Sequence, residues 1–556
     1  MAKDVHWARR LRRLAAAATA MLALGAVAAS ADPNAPFGSF GLGALHPGNL
    51  LISRSVYVPA SITPGTTILP PGCTTASATA SGTPCVTAVA DGTYPTVFNN
   101  DGPDASFGVT SPIYLDQVDP FTGHLLNTLA VPTSDLVTSF SSKSELALNL
   151  STNGRYVSFM GYVAPSASLD VSNSNTPGAI DPTNPVTGAN YRAVATVDND
   201  GQFHFTETNA YSGNNGRAAI VADSQGNQPL VFTAGNAGNG ANPQPAGLVL
   251  GAGAQALAPS IGSEAFQSPG PPTPVSSFST TQLPANTKAD KIGKDDNFRG
   301  LTIYNNVVYY TKGSGSNGIN TVYFLDTTGK ACPGTGVGLP QPGATLPTSP
   351  IAYNPATVAS TGLASNMCIL KGFNTALAKT STNSFPFGLW FANAHTLYLA
   401  DEGNGTDTYS TTSGTYTAAA AQTTAGLQKW VFNSTVGTWQ LAYTLQSALN
   451  LGQPYTVAGY PTGNNAATGL PWSPATDGLR NITGRVNPNG TATVWAVTST
   501  VSGSGDQGAD PNRVVTITDP LAATAPTLSE KFTTLRAAGF SEVLRGVSLT
   551  PDNILP

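Results

Sequence analysis

Residues 297–329 read Asn-Phe-Arg-Gly-Leu-Thr-Ile-Tyr-Asn-Asn-Val-Val-Tyr-Tyr-Thr-Lys-Gly-Ser-Gly-Ser-Asn-Gly-Ile-Asn-Thr-Val-Tyr-Phe-Leu-Asp-Thr-Thr-Gly. Leu301–Tyr304 and Val307–Thr311 are runs of β-formers on either side of Asn305-Asn306. Thr321–Leu325 is a third run, closed by Asp326-Thr327-Thr328-Gly329. Apolar, β-branched runs bounded by Asn, Asp and Gly predict strands, and such short turns make the neighbours antiparallel. Met367–Phe373 is the expected fourth strand.

The meander is written repeatedly. Before it stand Leu146–Leu150, Tyr156–Tyr162, Tyr191–Val197 and Phe203–Thr208, then Arg217–Ala219, Leu230–Thr233, Leu248–Gly251 and Ser276–Leu283. After it stand Phe387–Phe391, Thr396–Ala400, Leu427–Phe432 and Trp439–Leu445, then Arg480–Thr483, Thr493–Thr498, Arg513–Thr518 and Lys531–Leu535. Arg545–Thr550 repeats a first strand alone, whereas Asn49–Tyr57, Pro112–Val118 and Leu125–Val131 supply three strands without a first. The repeats align at 147, 218, 300, 388, 481 and 546, a spacing of 65 to 93 residues. That exceeds the ~40–50 residues of a plain four-stranded blade, and the excess lies in insertions.

An all-β chain of radially repeated meanders is a β-propeller. Six four-stranded blades are expected, the chain's two ends pairing to complete one of them. A ring so closed leaves no edge strand to recruit another copy, so a monomer is expected. Seven blades is the alternative count, because the 82 residues between the third and fourth repeats are weakly patterned; a β-sandwich or β-helix is the rival fold.

Residues 1–31 have the form of a secretory signal: Arg9, Arg10, Arg12 and Arg13, an apolar run Leu14–Ala29, and the small-x-small triplet Ala29-Ser30-Ala31. A single propeller domain is expected over 32–556, in a secreted or periplasmic protein. No later stretch approaches the roughly 18 uninterrupted apolar residues of a membrane span. Cleavage would remove Lys3, four arginines and Asp4, moving the formal charge from −5 to 20 basic against 29 acidic residues, or −9. No basic stretch survives, which argues against nucleic acid as a partner. Cys73, Cys85, Cys332 and Cys368 show no zinc spacing and are expected as disulfides in an oxidising compartment. Nearest-neighbour pairing gives Cys73–Cys85 and Cys332–Cys368, worth roughly 3 and 4 kcal/mol on the chain-entropy model; the other pairings stay open.

Turns between first and second strands are tight, as are those between third and fourth. The long insertions Val58–Ser111, Ala164–Asn190, Asn404–Ala425 and Val501–Pro511 fall between second and third strands and therefore gather on one face, the usual binding face of a repeat protein. Lys330–Asn366 is the exception and leaves the trimmed face. Arg217, Arg299, Arg480 and Arg545 precede the inner strand of four blades, with Asn214, Asp296, Asp477 and Glu542 three residues earlier. They serve either as clamps held by those partners or as forks for an anionic ligand. Aligning the ends of the second strands brings Arg54, Gly161, Ala234, Lys312, Asp401 and Thr498 to one position, with Glu402 beside Asp401. Arg54 and Lys312 are expected as ligand-binding cations there and Asp401 and Glu402 as candidate acid–base groups; a Lys312–Asp401 ion pair between blades is the structural alternative.

No cofactor is expected, and calcium at Asp401–Asp407 is the weaker reading because EF-hand spacing is absent. His46, His124, His204 and His395 are too dispersed for a metal centre. Trp390, Trp430, Trp439 and Trp495 lie in strands and read as core. Blade openings such as Phe298-Arg299-Gly300-Leu301 and Leu544-Arg545-Gly546-Val547 resemble those of exported NHL-like and gluconolactonase-like propellers. The resemblance covers most of the mature chain, is one of architecture, and carries no catalytic signature across. Two functions follow: a binding module for an extracellular glycan, protein, small molecule or surface, or a hydrolase or polysaccharide lyase acting on a glycan, ester or lactone at the channel mouth.

Overall fold

The computed structural model describes residues 44–58, 63, 65–69, 86–87, 109–142, 144–168, 190–208, 211, 214–223, 229–236, 253–257, 266–267, 276–280, 297–313, 318–332, 335–346, 365–380, 384–466, 468–504 and 507–552. Within them lie six four-stranded meanders arranged as a propeller. Blade one joins Glu542–Leu549 to Leu50–Val56, Ile113–Val118 and Leu125–Ala130. Blade two is Asn149–Leu150, Val157–Tyr162, Arg192–Val197 and Phe203–Thr208. Blade three is Gly216–Ala222, Leu230–Gly235, Ala254–Leu257 and Ser276–Thr280. Blade four is Leu301–Tyr304, Val307–Lys312, Thr321–Leu325 and Ser365–Leu370. Blade five is Pro386–Asn393, Thr396–Asp401, Gly426–Asn433 and Thr438–Leu445, and blade six is Ala475–Val486, Thr491–Val501, Arg513–Pro520 and Thr533–Ala537.

Blade four follows its sequence closely. Asn305 and Asn306 take φ of 47° and 58°, the left-handed pair of a two-residue hairpin, and Leu301 to Tyr304 pair with Tyr310 to Val307. The chain ends close blade one, with Leu50 opposite Leu549 and Val56 opposite Glu542 in antiparallel register. In blade three the third strand is Ala254–Leu257 rather than Leu248–Gly251, which lies outside the described residues; Leu248-Val249-Leu250 is the stronger apolar run, whereas the strand that forms carries two alanines and a glutamine in four residues and so gives little strand signal. Cys332 and Cys368 form the expected disulfide, with Cα atoms 6.0 Å apart. Cys73, Cys85 and Asp296 lie outside the described residues.

The core sits between blades, because each sheet buries both faces against its neighbours. Tyr309, Phe391 and Trp439 lie in one apolar cluster that joins blades three to five. Leu50, Val118, Trp495 and Val547 lie in another, across blades six and one. Each such side chain stabilises the fold by about 1.5–3 kcal/mol. The glycine after the repeated arginine is dictated by this packing. A Cβ on Gly300 would stand 2.2 Å from the Phe387 carbonyl of the next blade, and one on Gly546 2.3 Å from that of Leu146. The inner strands touch backbone to backbone there. The segments between second and third strands emerge at the same end of the ring as the starts of the inner strands.

Candidate anion site on the propeller axis

In blades one and three the repeated arginine sits in a bulge of the inner strand. The ladder skips Arg545 between Leu544↔Arg54 and Gly546↔Ser53, and skips Arg217 between Gly216↔Gly235 and Ala218↔Ala234. A bulge re-aims the side chain; these arginines turn to the axis. Blades two and five lack the arginine: Leu146 and Phe387 hold its place, as shown by the carbonyls that meet Gly546 and Gly300. Those two blades, opposite each other in a ring of six, supply carboxylates instead, Glu145 and Glu402. Going round the ring, the axial groups are Arg545, Glu145, Arg217, Arg299, Glu402 and Arg480.

Electrostatic coupling across the ring places them together. Arg217 feels Arg299, Glu402, Glu145 and Tyr162, and Arg299 feels Glu402 and Arg480. Glu402 ion-pairs with Arg480 (Oε2 to Nε, 3.2 Å). Residues 138–142, 144 and 145, between blades one and two, lie beside the ring. Arg545 Nη1 donates to the Ser142 carbonyl at 2.6 Å and its Nη2 to the Phe140 carbonyl. Arg299 Nη1 donates to Ser144 Oγ at 2.6 Å, and Asn215 Nδ2 to Ser142 Oγ at 3.0 Å. Glu145 accepts from the Tyr162 hydroxyl (2.5 Å), the Thr138 hydroxyl (2.7 Å) and the Ser139 amide (3.2 Å). Arg217 Nη1 donates to Asn297 Oδ1 and to the Phe298 carbonyl, while its buried Nε has no partner among the described residues.

The arginines are 4–6 % exposed, so they are desolvated yet keep a sliver of open surface. Burial lowers the pKa of Arg217, and the neighbouring charge of Arg299 lowers it further. Burial likewise lowers Arg299, with Glu402 partly opposing and Arg480 reinforcing. Burial raises Glu145 despite its three hydrogen bonds, and it raises Asp477, beside Glu402 and Arg480, to about 7. Four guanidinium groups face two ring carboxylates, with the Asp477 carboxyl behind Glu402 and Arg480, so the cations outnumber the carboxyl groups by at least one.

The sequence expectations divide here. The register brings Arg54, Lys312, Asp401 and Thr498 to one position, as aligned, but blade three contributes Gly235 rather than Ala234: Gly235 pairs with Gly216 as Arg54 pairs with Leu544, and Ala234 with Ala218 as Ser53 pairs with Gly546. Equivalent register does not make their side chains converge. Arg54 turns outward to Asp116 (2.8 Å) and Glu542 (2.6 Å), over the Tyr114 ring. Lys312 is buried and donates to Asn320 Oδ1 at 3.0 Å. Asp401 is fully buried and accepts from the Phe385 and Gly403 amides, Ser384 and Gln428; burial raises it to about 6. Of the charged candidates Arg54, Lys312, Asp401 and Glu402, it is Glu402 that meets the axial arginines. Nor do the residues three positions earlier clamp those arginines: Glu542 serves Arg54, and Asp477 accepts from Gly405 N and Gln422. Among the described residues the one cluster of metal-type ligands is Asp326, Cys332 and Cys368, whose sulfurs are joined to each other.

Sequence reasoning missed Glu145, Tyr162 and the axial segment. The available signal was the loss of arginine from two blades three apart in the ring, each with a glutamate within reach.

No protein-family model matches this sequence, and no curated protein matches it. Among solved structures it is similar to NanB plus Optactamide (9% identity, TM-score 0.32) and to a point mutant of NanB sialidase from Streptococcus pneumoniae (9% identity, TM-score 0.31). In both cases the match covers 73% of this chain and 62% of the other, so the chain spans less than two thirds of those proteins. Likeness of this degree assigns no activity.

Proposed function

We propose that the protein is an exported binding propeller whose axis takes the acidic group of an extracellular ligand, a carboxylate-bearing glycan foremost. The ring of four arginines and two glutamates is the observation that carries this reading. Buried cations in excess of carboxylates are costly, and an arriving anion would relieve that cost. Guanidinium forks match a carboxylate in a bidentate manner, each charged hydrogen bond contributing roughly 1.5–3 kcal/mol. The long insertions between second and third strands open at the same end as the arginines and would supply specificity. Export is supported by the signal-like residues 1–31 and by the Cys332–Cys368 disulfide, a bond characteristic of oxidising compartments.

Binding is favoured over catalysis because both ring carboxylates already have partners. Glu145 is held by three donors and Glu402 by Arg480. The test is calorimetric titration with trigalacturonate and with its fully methyl-esterified form, while product release is monitored. The acid should bind without turnover, weaken as salt rises, and bind at least about tenfold more tightly than the ester. Arg217→Gln and Arg299→Gln should each abolish that preference; a thermal melt identifies any variant that fails to fold. Equal affinity for acid and ester would reject an anion site, and turnover would move the protein to the enzyme class.

A further inference from the structure

At the tight-turn end of the ring, blades four and five enclose a cleft of about 410 Å³. One wall is aromatic. Tyr304 stacks on Phe391 at 4.7 Å and 10°, Phe391 meets Trp439 edge-on at 5.8 Å, and Trp439 lies 5.6 Å from Phe432. Each ring is fixed by the next, so the wall exists before any ligand arrives. The facing wall is the loop Leu339–Ala344. Its approach is pinned where Val337 and Gly338 pair with Ile369 and Leu370, and the Cys332–Cys368 disulfide ties the same strand nearby. A Cβ on Gly338 would stand 1.9 Å from the Ala331 carbonyl, so the loop leaves the sheet along a fixed path. A cleft with two prearranged walls loses little entropy on binding.

The lining holds no Asp, Glu, Lys, Arg or His. An ionised ligand would be desolvated there without a counter-charge, which selects against it. Polar groups nevertheless border the cleft. The Tyr304 and Tyr309 hydroxyls and the Asn305 amide make no hydrogen bond among the described residues. Gln341 spends its Nε2 on the Leu339 carbonyl at 3.0 Å, leaving Oε1 to accept. A purely apolar ligand would strand these groups. An aromatic wall flanked by two amides and two phenols, with no charge, suits a ring that is apolar on one face and hydroxylated at its edge. We infer that the cleft is a binding subsite for a neutral sugar, one hexose ring lying on the aromatic wall with its hydroxyls on Tyr304, Asn305 and Gln341. The inference does not rest on the axial arginines and concerns the other end of the molecule.

The test uses the mature protein and three neutral probes, maltopentaose, cellopentaose and laminaripentaose, followed through tryptophan fluorescence and calorimetry. At least one should bind. Tyr304→Phe with Asn305→Gly removes two hydrogen-bonding groups while glycine keeps the positive φ of the turn. That pair should weaken binding about tenfold or more. Gln341→Trp, on an exposed loop, should fill the cleft and abolish binding without moving the melt. Arg217→Gln should leave it unchanged, which separates this site from the axial one. If no pentaose binds, if Gln341→Trp binds as the parent does, or if p-cresol enters the cleft and no sugar does, the inference fails.

Discussion

Truncating the chain before Glu542 removes the inner strand of blade one. That strand pairs along seven residues of Leu50–Val56 and buries Val543, Leu544 and Val547 at no more than 1 % exposure. Three side chains of this kind contribute about 5–9 kcal/mol together. The truncation also uncovers Leu50, Leu51 and Ile52, which are fully buried, and opens a seven-residue sheet edge. Asn512, which donates to the Leu544 carbonyl and accepts from the Leu544 amide, loses both partners. Domains are stable by only about 5–15 kcal/mol, so the expected outcome is loss of the cooperative melt rather than a shifted one. Because a truncated chain that fails to fold is an ambiguous result alone, two further arms are needed. Leu544→Ala should lower stability by about 2–5 kcal/mol in denaturant titrations of the intact chain. A synthetic peptide spanning residues 540–556, added during refolding, should restore soluble protein from the truncated chain. A truncated protein that melts like its parent would refute closure by the chain ends, as would failure of Leu544→Ala to move the denaturation midpoint.

Non-reducing peptide mapping should recover Cys332 joined to Cys368, and Cys332→Ala with Cys368→Ala should cost about 4 kcal/mol for a 36-residue separation. Stability should fall between pH 5 and pH 8, because burial raises folded Asp477 to about 7 and Asp401 to about 6. A raised carboxyl stabilises the folded state fully below its unfolded pKa and loses that contribution as pH rises through the folded value. Asp477 alone accounts for about 2–3 kcal/mol of the fall, and denaturant titrations of Asp477→Asn should show a flatter profile. Asp116 titrates below this window: burial pushes it up, but Arg54, Arg536 and the Thr128 hydroxyl outweigh burial and hold it low. Arg54→Ala should cost up to about 3–5 kcal/mol by leaving Asp116 short of a partner in the interior, and ligand titrations should be unaffected.

The fold was legible because a propeller repeats its local grammar. Asn305-Asn306 at left-handed φ and β-formers on both sides specify one hairpin, and six such units specify a ring. The end-to-end blade was readable for the same reason: a lone first strand at Arg545 matched three strands lacking one. Blade three was not, since Leu248-Val249-Leu250 reads as the better β-former while the strand that forms is the weakly patterned Ala254-Gln255-Ala256-Leu257. Of the site, the repeated arginines and Glu402 were visible as deviations from strand composition. Where their side chains point was not, because a one-residue bulge reverses direction without leaving any mark in hydropathy. Arg54 and Lys312 show the converse, sharing a register with Asp401 while turning to partners within their own blades. Glu145 escaped notice since it belongs to a linker, and linkers carry no period against which an unusual residue stands out.

The most direct measurement is a crystal structure of the protein with trigalacturonate bound. A carboxylate seated on the axis, within hydrogen-bond reach of Arg217 Nε and of at least one further guanidinium from Arg299, Arg480 or Arg545, is the result the axial account requires. Trigalacturonate held only by the insertion loops, or lying in the cleft between blades four and five while the axial arginines keep their partners on residues 140–144, would contradict it.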